Sequence, residues 1–203
     1  MTPPLPPANL NARSPRLLKV TAGAVLHRFY NKAHSPIYFD ASGAGRLNAP
    51  TGAYGVLYSA GMPHGAFAET FLRQPGRQQI PTDLLSRKAY AALEATRDLT
   101  FVRLTGPGLA PLGATAEVTH GGLPYDASQA WSKALHGHPS GADGIAYTAR
   151  HDESELCYAI FDRAKSAIVE IERRTSLDAA WFWDLADHYD VGIASGKAIR
   201  PSA

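Results

Sequence analysis

The stretch YGVLYSAGMPHGAFAETFLRQ, Tyr54–Gln74, sets a strand directly against a helix. Val56 to Ser59 is a short apolar run of strand character. Pro63 suits the first turn of a helix, where its fixed φ is already helical and its missing N–H costs nothing. The helix continues through GAFAETFLRQ, with Phe67 and Phe71 one turn apart on its buried face, and it carries Glu69. Upstream, SGAGRLNAPTGAYG (42–55) is rich in glycine and reads as a loop whose backbone can approach a ligand closely. Before that loop, AVLHRFY from Ala24 alternates as a strand does, with Val25, His27 and Phe29 on one face and Leu26, Arg28 and Tyr30 on the other.

Downstream, Leu84, Leu85, Ala89, Ala92 and Leu93 make an apolar stripe that predicts a second helix over Thr82 to Ala95, with Thr82 as its cap. LTFVRL (99–104) is a strand. Asp126 with Gln129 has the form of a capping box, opening a helix through Trp131 and Leu135 that Gly137 ends. Three strand-like runs follow, GIAYTA from Gly144, ELCYAIF from Glu155 and AIVEIE from Ala167. An amphipathic helix over Leu177 to His188, with Trp181, Leu185 and Ala186 inward, comes last. No repeat is evident, and helices and strands interleave without a βαβ rhythm, so the expected class is α+β.

The 203 residues suit one compact domain, and 45% hydrophobic with 19% charged residues is ordinary for a globular chain. Residues 1–18 are proline-rich and read as a flexible arm outside the core, leaving 19–203 as the domain. A net charge of +2 and a pI near 8.7, without clustered Lys and Arg, point away from direct nucleic-acid binding. Cys157 is the sole cysteine, so no internal disulfide forms and nothing demands an oxidising compartment. Neither a bilayer-length apolar stretch nor a secretory pattern is present, and the expected location is cytoplasmic, with no membrane partner.

Several residues invite a chemical reading. Glu69 has Gly65, Ala66 and Leu72 as helix-surface neighbours, which leaves its carboxylate beside small or apolar groups; alternatively it pairs with Arg73 one turn on, a contact worth only ~0.3–0.5 kcal/mol. Arg28, mid-strand, needs an anionic partner or a route to water. Arg46 lies in the glycine-rich loop, a setting from which phosphate contacts are built, or is simply a surface residue. Tyr58 is either a core aromatic with its hydroxyl bonded to backbone or a flat surface for stacking a ring. His136 and His138 lack a third ligand at metal spacing, and Cys157 reads as a core residue. Neither a GxGxxG after a strand nor a Walker-type loop is present.

In order along the chain, HRFY (27–30), GRLN (45–48), YGVLYSA (54–60) and AFAETFLR (66–73) resemble the RES domain, as do the later GIAYTARHD (144–152), LCYAIFDRA (156–164) and the closing helix before HYDVGIA. The resemblance runs from about Lys19 to Ser195. It implies a fold similar to ADP-ribosyltransferases of the diphtheria-toxin kind. It also implies a toxin of a toxin–antitoxin pair, neutralised by an Xre-type antitoxin, that degrades NAD as a glycohydrolase or phosphorylase. NAD is then the substrate, with inorganic phosphate as co-substrate in the phosphorolytic case, no further cofactor and no metal. Glu69 and Arg28 fall on the family's catalytic positions, and Arg46, Tyr58 and Arg150 on positions that bind the dinucleotide. One position departs: the family's GIxYxSR pattern has serine where this chain has Ala149, and for Thr148 to stand in, the strand would have to slip by one residue, which turns the side chain to the other face. Transfer of ADP-ribose to a macromolecule, or a catalytically impaired NAD-binding module, are the alternatives. Assembly as a homo-oligomer is left open.

Overall fold

The computed structural model describes residues 3–193 apart from 75 and 77; the first two residues of the arm, and the resemblance beyond residue 193, lie outside the described residues. Strands β1 (Leu17–Val20), β2 (Val25–Asn31), β3 (Val56–Ala60), β5 (Lys88–Ala95), β6 (Leu99–Arg103), β7 (Gly144–Ala149), β8 (Asp152–Phe161) and β9 (Ile168–Arg174) form one sheet. Their order is β1-β6-β7-β8-β3-β2-β5-β9, and β4 (Gln79–Ile80) pairs separately with β10 (Gly192–Ile193). Within the large sheet β6 and β7 are parallel and the other neighbours antiparallel. Helices α1 (Pro63–Phe71), α2 (Thr82–Ser86), α3 (Leu109–Leu112), α4 (Glu117–His120), α5 (Asp126–His136) and α6 (Ala180–His188) flank it. The expected α+β class is borne out.

Apolar side chains cluster on both sides of the sheet. On one side Phe29 meets Phe67 and Phe71 of α1 at ring-centroid distances of 6.3 and 5.1 Å, and Trp181 of α6 stacks on Phe29 at 6.0 Å. On the other, Leu26 and Tyr30 join Leu57, Phe101 and Ile160. The alternation read from AVLHRFY is thus realised, with adjacent residues of β2 in opposite layers.

The helix expected over Thr82 to Ala95 is corrected: α2 stops at Ser86, and Lys88–Ala95 is strand β5. β5 lies between β2 and β9, with Ala89, Ala91 and Leu93 in one apolar layer and Tyr90 and Ala92 in the other. A strand buried on both faces is apolar at nearly every position, so it matches a helical stripe as well as a strand pattern. Pro81, not Thr82, occupies the N-cap of α2. The opening segment is also corrected: Leu10 is 3% exposed within the core, the Trp131 indole donates to the Pro4 carbonyl (2.7 Å), and β1 begins at Leu17.

One irregularity of the sheet positions everything that follows. β3 runs in register with β8 from Val56 to Ala60, and β2 with β5 from Val25 to Asn31, yet β2 and β3 pair only at His27 and Ala60. Beyond that pair the two strands part, and a cleft opens between them.

Candidate active site

The cleft has a volume of about 480 Å³, within the range of small-molecule sites. Arg28 and Tyr30 of β2, Tyr58 and Ser59 of β3, Glu69 of α1, Arg73 just beyond that helix, Arg46 of the glycine loop, Lys88 of β5, and Tyr147 of β7 all line it. A smaller pocket of about 110 Å³ adjoins it, sharing Arg46, Glu69 and Arg73 and adding Tyr125, Arg150 and His151.

Glu69 does not pair with Arg73. Its Oε1 accepts the backbone N–H of Arg150 (2.9 Å), and its Oε2 accepts from the Tyr147 hydroxyl (3.3 Å) and from Arg46 Nη2 (3.4 Å). These partners come from the glycine loop, from β7 and from the turn after it, so a carboxylate 21% exposed is held from three directions. Tyr147 is 2% exposed, and burial first, then the Glu69 charge, pushes its hydroxyl well above the ordinary phenol range; it stays a proton donor.

Arg46 is 8% exposed, and its Nε and Nη1 are buried without a hydrogen-bond partner. Arg28 shows the same deficit: Nε and Nη1 are buried and unpartnered, and desolvation lowers its pKa to about 10, partly offset by Tyr30. A buried guanidinium with free N–H groups is costly unless an anion completes it. Half-buried Lys88 adds to the positive field, its pKa lowered by burial and then by Arg73, Arg28 and Arg87. None of Arg28, Arg73 and Lys88 has a carboxylate partner among the described residues.

Tyr58 has its hydroxyl engaged on the loop. Its hydroxyl accepts the Leu47 backbone N–H (2.8 Å) and donates to Asn48 Oδ1 (2.8 Å), while its ring lines the cleft. Asn48 in turn donates to Asp40 Oδ2 (2.9 Å), so the loop carrying Arg46 is tied at the Leu47–Asn48 end of its GRLN motif. Gln129 belongs to this tether. Where a capping box was expected, α5 has Tyr125 at its N-cap without a side-chain bond, and Gln129 Nε2 donates to the carbonyls of Gly43 (2.6 Å) and Gly45 (3.1 Å). Its partners lie more than eighty residues away in sequence.

Residues outside the cleft have structural partners. His136 stacks on Tyr54 at 3.9 Å, and His138 contacts Ser140 and the Arg13 carbonyl. Within the cleft lining, Cys157 is 1% exposed, and burial and then Glu69 push its thiol well up, leaving a neutral core thiol.

The RES domain family model matches residues 22–184. The chain belongs to the RES domain family. No curated protein matches it. Among solved structures, this RES domain superposes on a chain from the crystal structure of the M. tuberculosis MbcT–MbcA toxin–antitoxin complex with a TM-score of 0.64 at 12% identity, covering 88% of this chain and 95% of that one. At that identity the likeness establishes the fold.

In this RES domain Ala149, which stands where the resemblance implies a serine, is wholly buried, and the Thr148 hydroxyl meets His120 Nε2 (3.5 Å) rather than Glu69. The hydroxyl partner of Glu69 is instead Tyr147, within the quoted GIAYTARHD motif but without a role assigned from it. Arg150 enters the site through its backbone N–H and lines the smaller pocket. His151, whose buried Nε2 is unpartnered, was not singled out by the sequence reading.

Proposed function

We propose that this protein is an NAD-degrading toxin of a toxin–antitoxin pair, cleaving the nicotinamide–ribose bond with Glu69 at the reacting carbon. The observation that carries the reading is one cleft combining a fixed carboxylate with two arginines whose buried N–H groups lack partners. NAD supplies what is missing on both counts, a diphosphate for Arg28 and Arg46 and a sugar carbon that turns cationic as nicotinamide leaves. A carboxylate pinned by a backbone N–H and a tyrosine hydroxyl stabilises that oxocarbenium-like charge without reorganising. The ring of Tyr58, its hydroxyl already engaged, offers a face against which nicotinamide stacks. Arg150 contributes through the smaller pocket. Water or inorganic phosphate then takes the ribosyl carbon.

Family membership and the fold shared with a chain of a toxin–antitoxin complex support the toxin setting, with an Xre-type antitoxin as partner and the cytoplasmic NAD pool as target. The test is to incubate the purified protein with NAD, with and without phosphate, and to follow nicotinamide release; equal release by wild type and Glu69→Gln defeats the mechanism. Ala149 favours a second reading, a domain that binds NAD without turnover. It predicts a raised melting temperature with NAD and no loss of the dinucleotide.

A further inference from the structure

Arg28 is not the sole buried group in the cleft that lacks a partner. Ser59 is 6% exposed, lines the cleft, and its Oγ has no hydrogen-bond partner. Buried hydroxyls are ordinarily bonded, because leaving one dry and unpaired forfeits its bond to water. Elsewhere in the core this rule is obeyed: Ser132 donates to the Leu47 carbonyl and Ser128 to the Val118 carbonyl, each at 2.6 Å.

The position of Ser59 in the sheet explains what it is free to meet. His27 and Ala60 are the last pair in register between β2 and β3. One antiparallel step further along, Arg28 stands on β2 and Ser59 on β3, on the same side of the sheet, at the point where the strands part. The two unpartnered groups therefore flank the opening of the split from opposite strands. Lys88, also lining the cleft, and Arg73 add positive charge, while Asp40 is occupied by Asn48 and by the Ser42 backbone N–H.

We propose that Ser59 and Arg28 form one bracket for an oxyanion of the substrate's diphosphate, the serine hydroxyl donating to a phosphate oxygen that the guanidinium also holds. Ser59 is thus a binding residue of this site, and the assignment rests on the NAD reading above. It makes the fork between β2 and β3 a recognition element: two strands that stayed paired would close the bracket. A hydroxyl beside a guanidinium selects an oxygen-rich anion over a planar carboxylate because it adds a donor outside the guanidinium plane.

The experiment measures ADP binding by calorimetry and melting temperature without ligand, for wild type, Ser59→Ala and Ser59→Thr. Ser59→Ala is expected to weaken ADP about tenfold, as loss of one bond to a charged group does. Its ligand-free melting temperature should hold or rise, since an unpaired buried hydroxyl is removed. Ser59→Thr, which keeps the hydroxyl, should retain most of the ADP affinity. A Ser59→Ala protein that melts several degrees lower shows the hydroxyl bonded inside the free protein and overturns the proposal, as does unchanged ADP affinity in that variant. Wild type that consumes NAD and binds ADP while Ser59→Ala binds ADP equally well removes the bracket alone; wild type that binds neither removes the NAD reading and the bracket with it.

Discussion

Replacing Glu69 by glutamine keeps one acceptor, for the Arg150 backbone N–H, and turns an amide NH2 toward the Tyr147 hydroxyl, which must then accept instead of donate, while the negative charge is removed. The size of the effect follows from where that charge sits. A unit charge about 4 Å from a cationic sugar carbon contributes about 1 kcal/mol in bulk water and about 4 kcal/mol at the effective dielectric of a protein cleft. A carboxylate 21% exposed, walled by Tyr147 and Arg46, belongs nearer the second limit. Glu69→Gln should therefore raise the barrier by about 3–4 kcal/mol, a fall in kcat of roughly 200- to 1000-fold. The fold should survive: Arg46 loses its charged partner at 3.4 Å, a contact long enough that about 1 kcal/mol and a few degrees of melting temperature are at stake. The assay is single-turnover nicotinamide release with NAD saturating, so that binding does not enter. A kcat within tenfold of wild type would mean that the charge does not act on the reacting carbon.

Other substitutions probe the scaffold. Gln129→Ala removes both bonds to the glycine-loop carbonyls and should raise KM for NAD several-fold with kcat little changed, read by steady-state kinetics, because the loop positions Arg46 rather than reacting. Gly45→Ala places a Cβ against Asn48 Oδ1 and 2.6 Å from the Tyr58 hydroxyl, breaking the tether, and thermal melting should show a loss of about 1–3 kcal/mol. Asp143 accepts two bonds from Arg97 (3.0 and 2.7 Å) and one from the Thr100 backbone N–H (2.9 Å); burial raises its pKa, and these bonds outweigh it to leave a net value below 3.8. Its stabilisation is thus full above pH ~4 and lost as pH falls through the lower folded value, so Asp143→Asn should cost about 1–2 kcal/mol at pH 7 and progressively less as pH falls below that of a free carboxylate, read by urea titrations.

The sequence alone determined several local elements. The face of α1 that holds Phe67 and Phe71 and the alternation of β2 and β9 follow from apolar periodicity, while β7 and β8 are short apolar runs rich in β-branched and aromatic residues. It also marked Glu69, Arg28, Arg46 and Tyr58 as residues that one cleft now brings together. Tertiary structure decided the rest. β5 is a strand because neighbours cover both its faces, a condition that erases period 2 and imitates a helix. Glu69 is held by groups 23, 78 and 81 residues distant, and Gln129 serves a loop rather than its own helix end. Arg28 and Ser59 flank the fork because β2 and β3 part after a single matched pair, His27 with Ala60. Periodicity specifies which side of an element is buried, whereas the meeting of distant side chains is set by strand register and close packing, which no local window contains.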